Sequence, residues 1–425
     1  MRDLLITFLI LGSLPLIIWR PYIGILVWSW ISYMNPHRQA WGFAYDMPFA
    51  QIVAITLMIA LVVNPQKLRL PWNGTIAIWL LFLAWMGLTT MVAIHPSWAM
   101  TQFTTVVKIQ LVTFLTLLLI NTQERIQQLI WVIVVSIGFY SFKGGIFTLM
   151  TGGAFRVYGP AGSNISENNA LALATLIVVP LMVYLYQIHS RNKWMRYGLG
   201  SAIFFSVISA IGSQSRGALI ALLAVGVFFW WRSQSKIITG IGAVFLAGVI
   251  LMVMPESWSE RMNSITNYQE DASAMGRIHA WQYSMAIAND RLTGGGFNSW
   301  SADTYAIYAP QSQLRVVAHS IYFSVIADHG WPGFVMFASI LFLTWRRLSR
   351  LHSAGDPPGD EFRPALLARM LQVSMVAYLS GGMFLSLSYF DLPWHIIAIA
   401  VLLSELYDPR QPAVSRRRPG DPQEP

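Results

Sequence analysis

Residues 170–189 read ALALATLIVVPLMVYLYQIH, a run without a single Asp, Glu, Lys or Arg. A run of this length and hydrophobicity predicts a helix that crosses a membrane. Similar apolar runs recur along most of the 425 residues, and 55% of the residues are hydrophobic while only 11% are charged. No soluble core of this length could bury so much apolar surface. The sequence therefore predicts an all-α polytopic membrane protein.

We interpret the apolar runs as about 12 transmembrane helices. Two runs near the start, at 4–19 and 22–34, are each short for a crossing. The other runs lie near 49–63, 75–93, 103–120, 126–150, 170–189, 197–212, 217–231, 237–254, 331–345, 366–387 and 393–407. The predicted organisation is transmembrane helices 1 to about 9 in residues 1–254, a helical periplasmic loop in 255–330, C-terminal transmembrane helices in 331–407 and a disordered cytoplasmic tail in 408–425.

The positions of Lys and Arg predict which side each connection occupies, because cytoplasmic loops are enriched in both. Every second connection is basic, and these connections hold most of the 28 Lys and Arg residues: 64–74, 121–125, 190–196, 232–236, 346–369 and 408–425. We therefore predict that both chain ends are cytoplasmic. The alternative is that the N-terminus lies outside. The long segment 255–318 then faces the periplasm. Its mixture of polar and aromatic residues is typical of short amphipathic helices on a membrane.

Several cations break this pattern, because they lie on the predicted outer side or inside a span. Lys108 lies within an apolar span, where a charge costs roughly 2.5–3.5 kcal/mol. The outer-side cations are Arg156, Arg216, Arg261, Arg277, Arg291 and Arg315. Each alone could pair with a carboxylate or reach the membrane surface. As a set they predict one outward-facing cavity for a diphosphate, since a planar guanidinium holds phosphate oxygens in pairs.

Two strings contain the leading diphosphate ligands. Arg216 lies between two apolar runs, at the predicted start of a helix, where free N–H groups favour anions. The alternative is a plain tight turn at this position. Arg277 and Trp281 are four residues apart, so a helix would present both on one face. We expect Arg216 and Arg277 to bind the diphosphate first, with Arg156, Lys108 and Arg315 in secondary roles.

His319 is the candidate base, although a lone His is often structural. Arg315 precedes it by four residues, so a short helix over 315–328 would place both on one face. A neighbouring guanidinium lowers the pKa of an imidazole and keeps it able to accept a proton. The string DHGWPG at 328–333 predicts a break before the next span. Trp281 and Ser320 would line the cavity.

The sequence around His319 resembles the bacterial O-antigen ligase family. His319-Ser320, nine residues and then Gly330, with Gly333 close behind, is similar to the family signature. Further segments that resemble the family lie at 155–160, 215–217, 273–281 and 292–296. Two strings near the start, YMNPHR at 33–38 and WGFAYD at 41–46, resemble a narrower subgroup, the exosortase-associated putative O-glycosylation ligases.

The resemblance implies a metal-independent glycosyltransferase of the multi-span class in the bacterial inner membrane, with its active site facing the periplasm. The donor would be a glycan on undecaprenyl diphosphate. The acceptor would be lipid A–core, as in lipopolysaccharide maturation, or a protein hydroxyl in the narrower subgroup. We expect membrane lipids to surround the spans. We expect no cofactor and no nucleic-acid partner.

The candidate residues suit a single displacement, which inverts the anomeric centre. Arg216 and Arg277 would stabilise the leaving diphosphate, while His319 deprotonates or orients the acceptor hydroxyl. The outer loops carry no Asp-x-Asp pair, so we expect no metal ion. Two alternatives stay open, an O-antigen polymerase with the same donor and a multi-span transporter. The one-sided cations and the lack of a sequence repeat favour a transferase over a transporter.

Overall fold

The computed structural model describes residues 1–65, 68–232, 235–237, 240–242, 244, 248, 272–312, 314–357 and 361–407, and every regular element in them is helical. The predicted all-α class is therefore confirmed for these residues. Most of the predicted span 237–254, the loop residues 255–271 and the predicted tail 408–425 lie outside the described residues.

We number the α-helices of the described residues in chain order. They are α1 (Arg2–Trp19), α2 (Tyr22–Met34), α3 (Phe49–Val63), α4 (Gly74–Met91), α5 (Pro96–Leu119), α6 (Gln123–Met150), α7 (Asn168–Ile188), α8 (Lys193–Gly212), α9 (Arg216–Arg232), α10 (Ala272–Asp290), α11 (Ala302–Tyr308), α12 (Ile321–Ala354), α13 (Pro364–Gly381) and α14 (Asp391–Tyr407). Short 3₁₀ helices lie at Pro36–Gln39, Phe43–Asp46 and Gly382–Phe384.

Many of these helices have the composition of membrane spans. Seven are long and apolar enough to cross a membrane: α1, α4, α5, α6, α7, α8 and α12. Three more, α2, α3 and α9, are shorter apolar helices. These helices agree with the prediction of a polytopic membrane protein. The count of about 12 crossings stays a prediction.

Helices α7, α13 and α14 form the interior of the bundle. Most residues of α7 are buried, because it packs against α6, α8 and α13. The Trp394 ring on α14 lies 4.9 Å from the Trp79 ring on α4. Large apolar side chains on the outer helices, such as Leu5 and Val62, are exposed instead. An apolar exterior suits a bundle surrounded by lipid.

The first two helices form a hairpin whose N-terminus contacts the connection before α3. The Asp3 carboxylate accepts hydrogen bonds from the N–H groups of Gly42 and Ala44, at 3.0 and 3.1 Å. At the other end of α1, the Asn64 side chain donates to the Ile18 carbonyl at 2.5 Å. The N-terminus therefore lies on the side opposite to the connection between α3 and α4.

The C-terminal end of α14 lies on that second side, as does the start of α6, where the Arg125 guanidinium lies 4.3 Å from the ring of Tyr22 at the start of α2. The Tyr407 hydroxyl donates to the Gln123 side chain at the start of α6, at 2.8 Å. The prediction that both chain ends share one side is therefore wrong, and the alternative of an outside N-terminus agrees with the contacts. The prediction rests on Arg2 as a cytoplasmic charge, whereas its guanidinium lies 4.9 Å from the ring of Trp41, on the connection 35–48 that the charge pattern predicts to lie outside.

Helix α12 consists of two helices joined by a kink at Gly330, where φ is 65° and ψ is −173°. Pro332 follows the kink, and it has no N–H to donate to the Asp328 carbonyl. The predicted break at 328–333 is therefore confirmed. It divides α12 into a short outer half that begins at Ile321 and a long inner half.

The triple glycine at 294–296 packs into this kink. The N–H groups of Gly295 and Gly296 donate to the carbonyls of Ala327 and Asp328, at 2.8 and 3.0 Å. These bonds satisfy carbonyls that the kink leaves without a helical partner. A Cβ on Gly294 would lie 2.5 Å from the Ala327 carbonyl oxygen, so this close approach requires glycine. These two hydrogen bonds attach the loop after α10 to the kink in α12.

Candidate active site

Arg216 is the first residue of α9, in agreement with the sequence prediction. The chain reaches it through a tight turn in which Gln214 has a φ of 55°. The Ser215 hydroxyl accepts a hydrogen bond from the N–H of Ala218 at 3.2 Å and so caps the helix. The half-buried Arg216 side chain thus leaves the chain at a helix start, where backbone N–H groups and the helix dipole favour an anion.

The turn before Arg216 also touches the connection between α6 and α7. The Asn168 side chain, at the start of α7, donates to the Ser213 carbonyl at 2.8 Å. The Gln214 side chain donates to the Gly153 carbonyl at 2.9 Å. The connection 151–167, which contains the half-buried Arg156, is therefore next to the start of α9.

Glycines allow α9 to approach the end of α13 closely. A Cβ on Gly217 would lie 3.1 Å from the Cβ of Phe384, which follows α13. A Cβ on Gly381 would lie 2.7 Å from a methyl carbon of Leu173 on α7 and 3.1 Å from Ala221 on α9. The starts of α7 and α9 and the end of α13 consequently meet at one place.

Helix α10 adds Arg277 and Trp281 to this place. Both lie on the helix, so their spacing of four puts them on one face, as predicted. The Trp281 indole N–H donates to the Ala318 carbonyl at 2.9 Å. Its ring stacks on Phe323 at 4.9 Å between centroids and lies 6.4 Å from the Phe384 ring. Through Phe384, α10 approaches the start of α9.

His319 lies between the Ala318 carbonyl that Trp281 binds and the start of α12. Its φ is 44°, a left-handed conformation that non-glycine residues rarely adopt. Burial lowers the pKa of His319 below its ordinary value, and the charge of Arg277 lowers it further, while Glu167 opposes both. The imidazole is therefore kept in the neutral form, which can accept a proton.

The predicted helix over 315–328 is wrong in its first part. The described residues between Leu314 and Ser320 are not helical, and α12 begins only at Ile321. Arg315 and His319 therefore do not share a helical face, and Arg315 is exposed. The guanidinium that lowers the His319 pKa belongs to Arg277 on α10. The pKa of His319 is lowered as expected, but the charge that lowers it lies on a segment distant in sequence.

Lys108 lies apart from the other candidates. It is exposed on α5, a helix that packs against α2, α4 and α14. Helices α9 and α10, which carry Arg216 and Arg277, are not among the helices against which α5 chiefly packs. The structure thus brings together Arg216, Arg277, Trp281 and His319, with Arg156 nearby on the neighbouring connection.

Ser320 and Glu167 complete the surroundings of His319. Ser320 is fully buried, and its hydroxyl has no hydrogen-bond partner among the described residues. Glu167 is exposed directly before α7, and its charge raises the pKa of His319. Glu167 is not recognisable as a site residue from the sequence, because nothing in the local sequence connects it with a residue that lies far along the chain.

The assembled groups combine anion binding with proton acceptance. Two guanidiniums and a helix start can hold a charged phosphate group, and a neutral imidazole beside them can accept a proton from a hydroxyl. Within the described residues, no group of three or more His, Cys, Asp or Glu side chains could hold a metal ion. The expectation that the reaction needs no metal stays a prediction.

Two protein-family models match parts of the chain. Residues 1–190 match a family of unknown function. Residues 201–338 match the family described as O-antigen ligase, and this region contains Arg216, Arg277, Trp281 and His319. No curated protein matches the chain. The part of the chain that carries these four side chains therefore belongs to an O-antigen ligase-like family.

Proposed function

We propose that the protein transfers a glycan from undecaprenyl diphosphate to a hydroxyl of lipid A–core, on the periplasmic face of the bacterial inner membrane. The family membership supports an enzyme of the O-antigen ligase or polymerase kind. The observation that carries the proposal is the environment of His319: the charge of Arg277 lowers its pKa, and Trp281, one turn further along α10, binds the Ala318 carbonyl next to it. A proton acceptor and an anion site adjoin each other there.

In the proposed reaction, the acceptor oxygen attacks the anomeric carbon of the donor sugar. A carbon–oxygen bond forms to the acceptor as the bond between the anomeric carbon and the diphosphate oxygen breaks. The leaving diphosphate takes the electron pair, and Arg216 and Arg277 stabilise its charge. The acceptor proton moves to an imidazole nitrogen of His319. Attack opposite the leaving group inverts the anomeric centre, and no covalent enzyme intermediate forms.

The proposal is tested with purified protein, a lipid-linked donor and lipid A–core, in the presence of EDTA. We expect transfer by the natural protein, and we expect His319→Ala to lower kcat more than it weakens donor binding, because the cations remain. Arg191→Ala is a control, since Arg191 is an exposed arginine outside the site. A variant at His319 with normal kcat and poor donor binding would show that His319 binds the donor instead of accepting the proton.

Two other acceptors belong to the same chemistry. A protein hydroxyl is the acceptor that the subgroup resemblance at 33–46 favours, and a second lipid-linked glycan is the acceptor of a polymerase. Gene deletion separates these cases. Loss of a polymerase leaves lipopolysaccharide with single repeats, loss of a lipopolysaccharide ligase leaves bare core, and loss of a protein ligase leaves lipopolysaccharide unchanged while glycoproteins lose their glycans.

A further inference from the structure

The backbone just before His319 is not helical, and side chains from two other elements bind it. The Trp281 indole N–H on α10 donates to the Ala318 carbonyl at 2.9 Å. The Tyr305 hydroxyl on α11 donates to the Val316 carbonyl at 2.5 Å. The bound carbonyls lie one and three residues before His319. Both helices therefore restrain the short piece of chain that carries the candidate base.

The conformation of His319 depends on such restraints. Its φ of 44° lies in the left-handed region, which a non-glycine residue keeps only where its surroundings hold it there. After His319, the chain is fixed because the buried Ser320 is the cap residue at the start of α12. Before His319, it is fixed by the bonds to Val316 and Ala318. The residue is thus held from both sides.

Tyr305 is itself firmly placed. It is only 3% exposed, and its ring stacks on Tyr283 at 4.7 Å between centroids, with 18° between the ring planes. The start of α11 is capped, because the Ser301 N–H donates to the Thr304 hydroxyl at 3.1 Å. The buried hydroxyl of Tyr305 already directs its hydrogen to Val316. Tyr305 can therefore affect the reaction through the backbone that it binds, and not by touching a substrate.

We propose that Tyr305 is a positioning residue, whose bond to Val316 keeps His319 in its left-handed conformation and its imidazole beside the candidate anion site. This inference rests on the proposed function, and it adds a residue that acts on the reaction through the base. Without the hydroxyl, the Val316 carbonyl loses its partner and the backbone of His319 can relax to an ordinary conformation. The imidazole then moves away from Arg277.

The first experiment compares two substitutions in one pair of stacked rings. Tyr305→Phe and Tyr283→Phe each remove a buried hydroxyl that donates to a backbone carbonyl. The carbonyl bound by Tyr283 belongs to Ser299, at 2.8 Å, and lies outside the segment before His319. We expect Tyr305→Phe to lower kcat by about ten- to a hundredfold with little change in KM for the lipid-linked donor, because both arginines of the anion site stay in place. Tyr283→Phe should keep a normal kcat. Equal losses of kcat in the two variants, or a normal kcat in Tyr305→Phe, would overturn the positioning role.

The pH profile separates positioning from a general loss of stability. Burial lowers the pKa of His319, the charge of Arg277 lowers it further, and Glu167 opposes both without cancelling them. An imidazole released from this environment returns toward its ordinary, higher pKa, so the acid limb of kcat in Tyr305→Phe should move to higher pH. A variant that only lost stability would contain fewer active molecules and keep the limb in place. An unmoved limb would therefore contradict the role of Tyr305.

A measurement without substrates separates the role of Tyr305 from the proposed reaction. Diethyl pyrocarbonate modifies unprotonated imidazoles, and mass spectrometry of the purified protein gives the rate at His319, with His279 on α10 as the internal reference. The reaction is run at about pH 8, where an ordinary imidazole is unprotonated. We expect Tyr305→Phe to raise the rate at His319 relative to His279, because the released imidazole is more accessible. Tyr283→Phe should leave this ratio unchanged.

The two kinds of measurement distinguish the two failures. A raised ratio in Tyr305→Phe, with no glycan transfer by the natural protein, would refute the proposed function and keep the restraint of His319 by Tyr305. Transfer by the natural protein, with the same ratio in all three proteins, would refute the positioning role and keep the function.

Discussion

Two charges of opposite sign act on the imidazole of His319. Arg277 lowers its pKa and Glu167 raises it, in a half-buried environment that also lowers the pKa. A base must be unprotonated to accept a proton, so activity should fall as the pH drops below the His319 pKa. The two charges therefore shift the acid limit of the reaction in opposite directions. Arg277 moves this limit to lower pH, and Glu167 moves it to higher pH.

This arrangement gives a prediction for Glu167→Gln. Removing the carboxylate charge removes the contribution that raises the His319 pKa, so the pKa falls further. The acid limb of the pH profile of kcat should then move to lower pH. The measurement is kcat against pH for the variant and for Glu361→Gln, which removes an exposed carboxylate far along the chain. An acid limb that stays in place, or moves to higher pH, would contradict the role of Glu167.

Arg216 gives a second prediction at the residue scale. Arg216→Ala should lower kcat by about 100- to 1000-fold, the usual loss when one donor to a developing negative charge is removed. Arg216→Lys should restore only part of the activity, because an ammonium group lacks the planar fork that holds two phosphate oxygens. Size-exclusion profiles check that both variants are folded. Near-normal transfer by the alanine variant would contradict this role of Arg216.

The sequence can identify a pair of site residues when both lie on one regular helix, but not when folding brings them together from distant segments. Arg277 and Trp281 share a face because they lie on one helix, and the spacing alone predicts this. The same spacing fails for Arg315 and His319, because the bond from Trp281 to Ala318 and the positive φ of His319 belong to a non-helical segment. Glu167 could not be found from the sequence, since its relation to His319 exists only in the folded chain.

At the scale of elements, the kink in α12 and the triple glycine form one unit. The sequence predicts the break at 328–333, and its triple glycine at 294–296 allows a close backbone approach but does not by itself predict one. It does not show that the two segments meet, because the hydrogen bonds between them join residues more than thirty positions apart. Their pairing fixes where the first half of α12 ends, and His319 lies two residues before that half begins.

Gly330→Ala should therefore destabilise the protein. A Cβ at this position would lie 2.1 Å from the Leu292 carbonyl oxygen, and the φ of 65° is unfavourable for alanine. The expected loss is about 1–3 kcal/mol, measured as a lower Tm of the detergent-purified protein. Gly226→Ala is the matched control, because a Cβ on Gly226 in α9 meets nothing within 4 Å. Alanine there should be neutral or stabilise by up to about 1 kcal/mol. Equal Tm values for the two variants would show that the kink does not need glycine.

At the scale of the whole molecule, the candidate site is assembled from three parts of the chain. The region that matches a family of unknown function contributes Glu167 and the start of α7. The ligase-family region contributes Arg216, Arg277 and His319, and Gly381 of α13 lies beyond both. Composition predicts the membrane class because it sums over every residue. The orientation of the first helices is harder to predict, since it depends on a few charges near one end.

The contacts of Asp3 with Gly42 and Ala44 give the last prediction, which concerns the N-terminus. They put the first residue on the side of the outer connection 35–48, opposite to the connections that are rich in Lys and Arg. The chain has no cysteine, so a single Cys inserted between Met1 and Arg2 can be labelled without interference. We expect a membrane-impermeant maleimide to label it in cells whose outer membrane alone is permeable. Asp46→Cys, on the same outer connection, should be labelled equally, whereas Arg191→Cys, between α7 and α8, should react only after the inner membrane is opened.

If the inserted Cys instead behaves like Arg191→Cys, the hairpin of α1 and α2 is inverted and the charge of Arg2 decides the topology. Labelling from outside would mean that the bonds of one carboxylate outweigh the bias of a single nearby arginine, because a lone charge contributes little to orientation when the flanking loops carry few others.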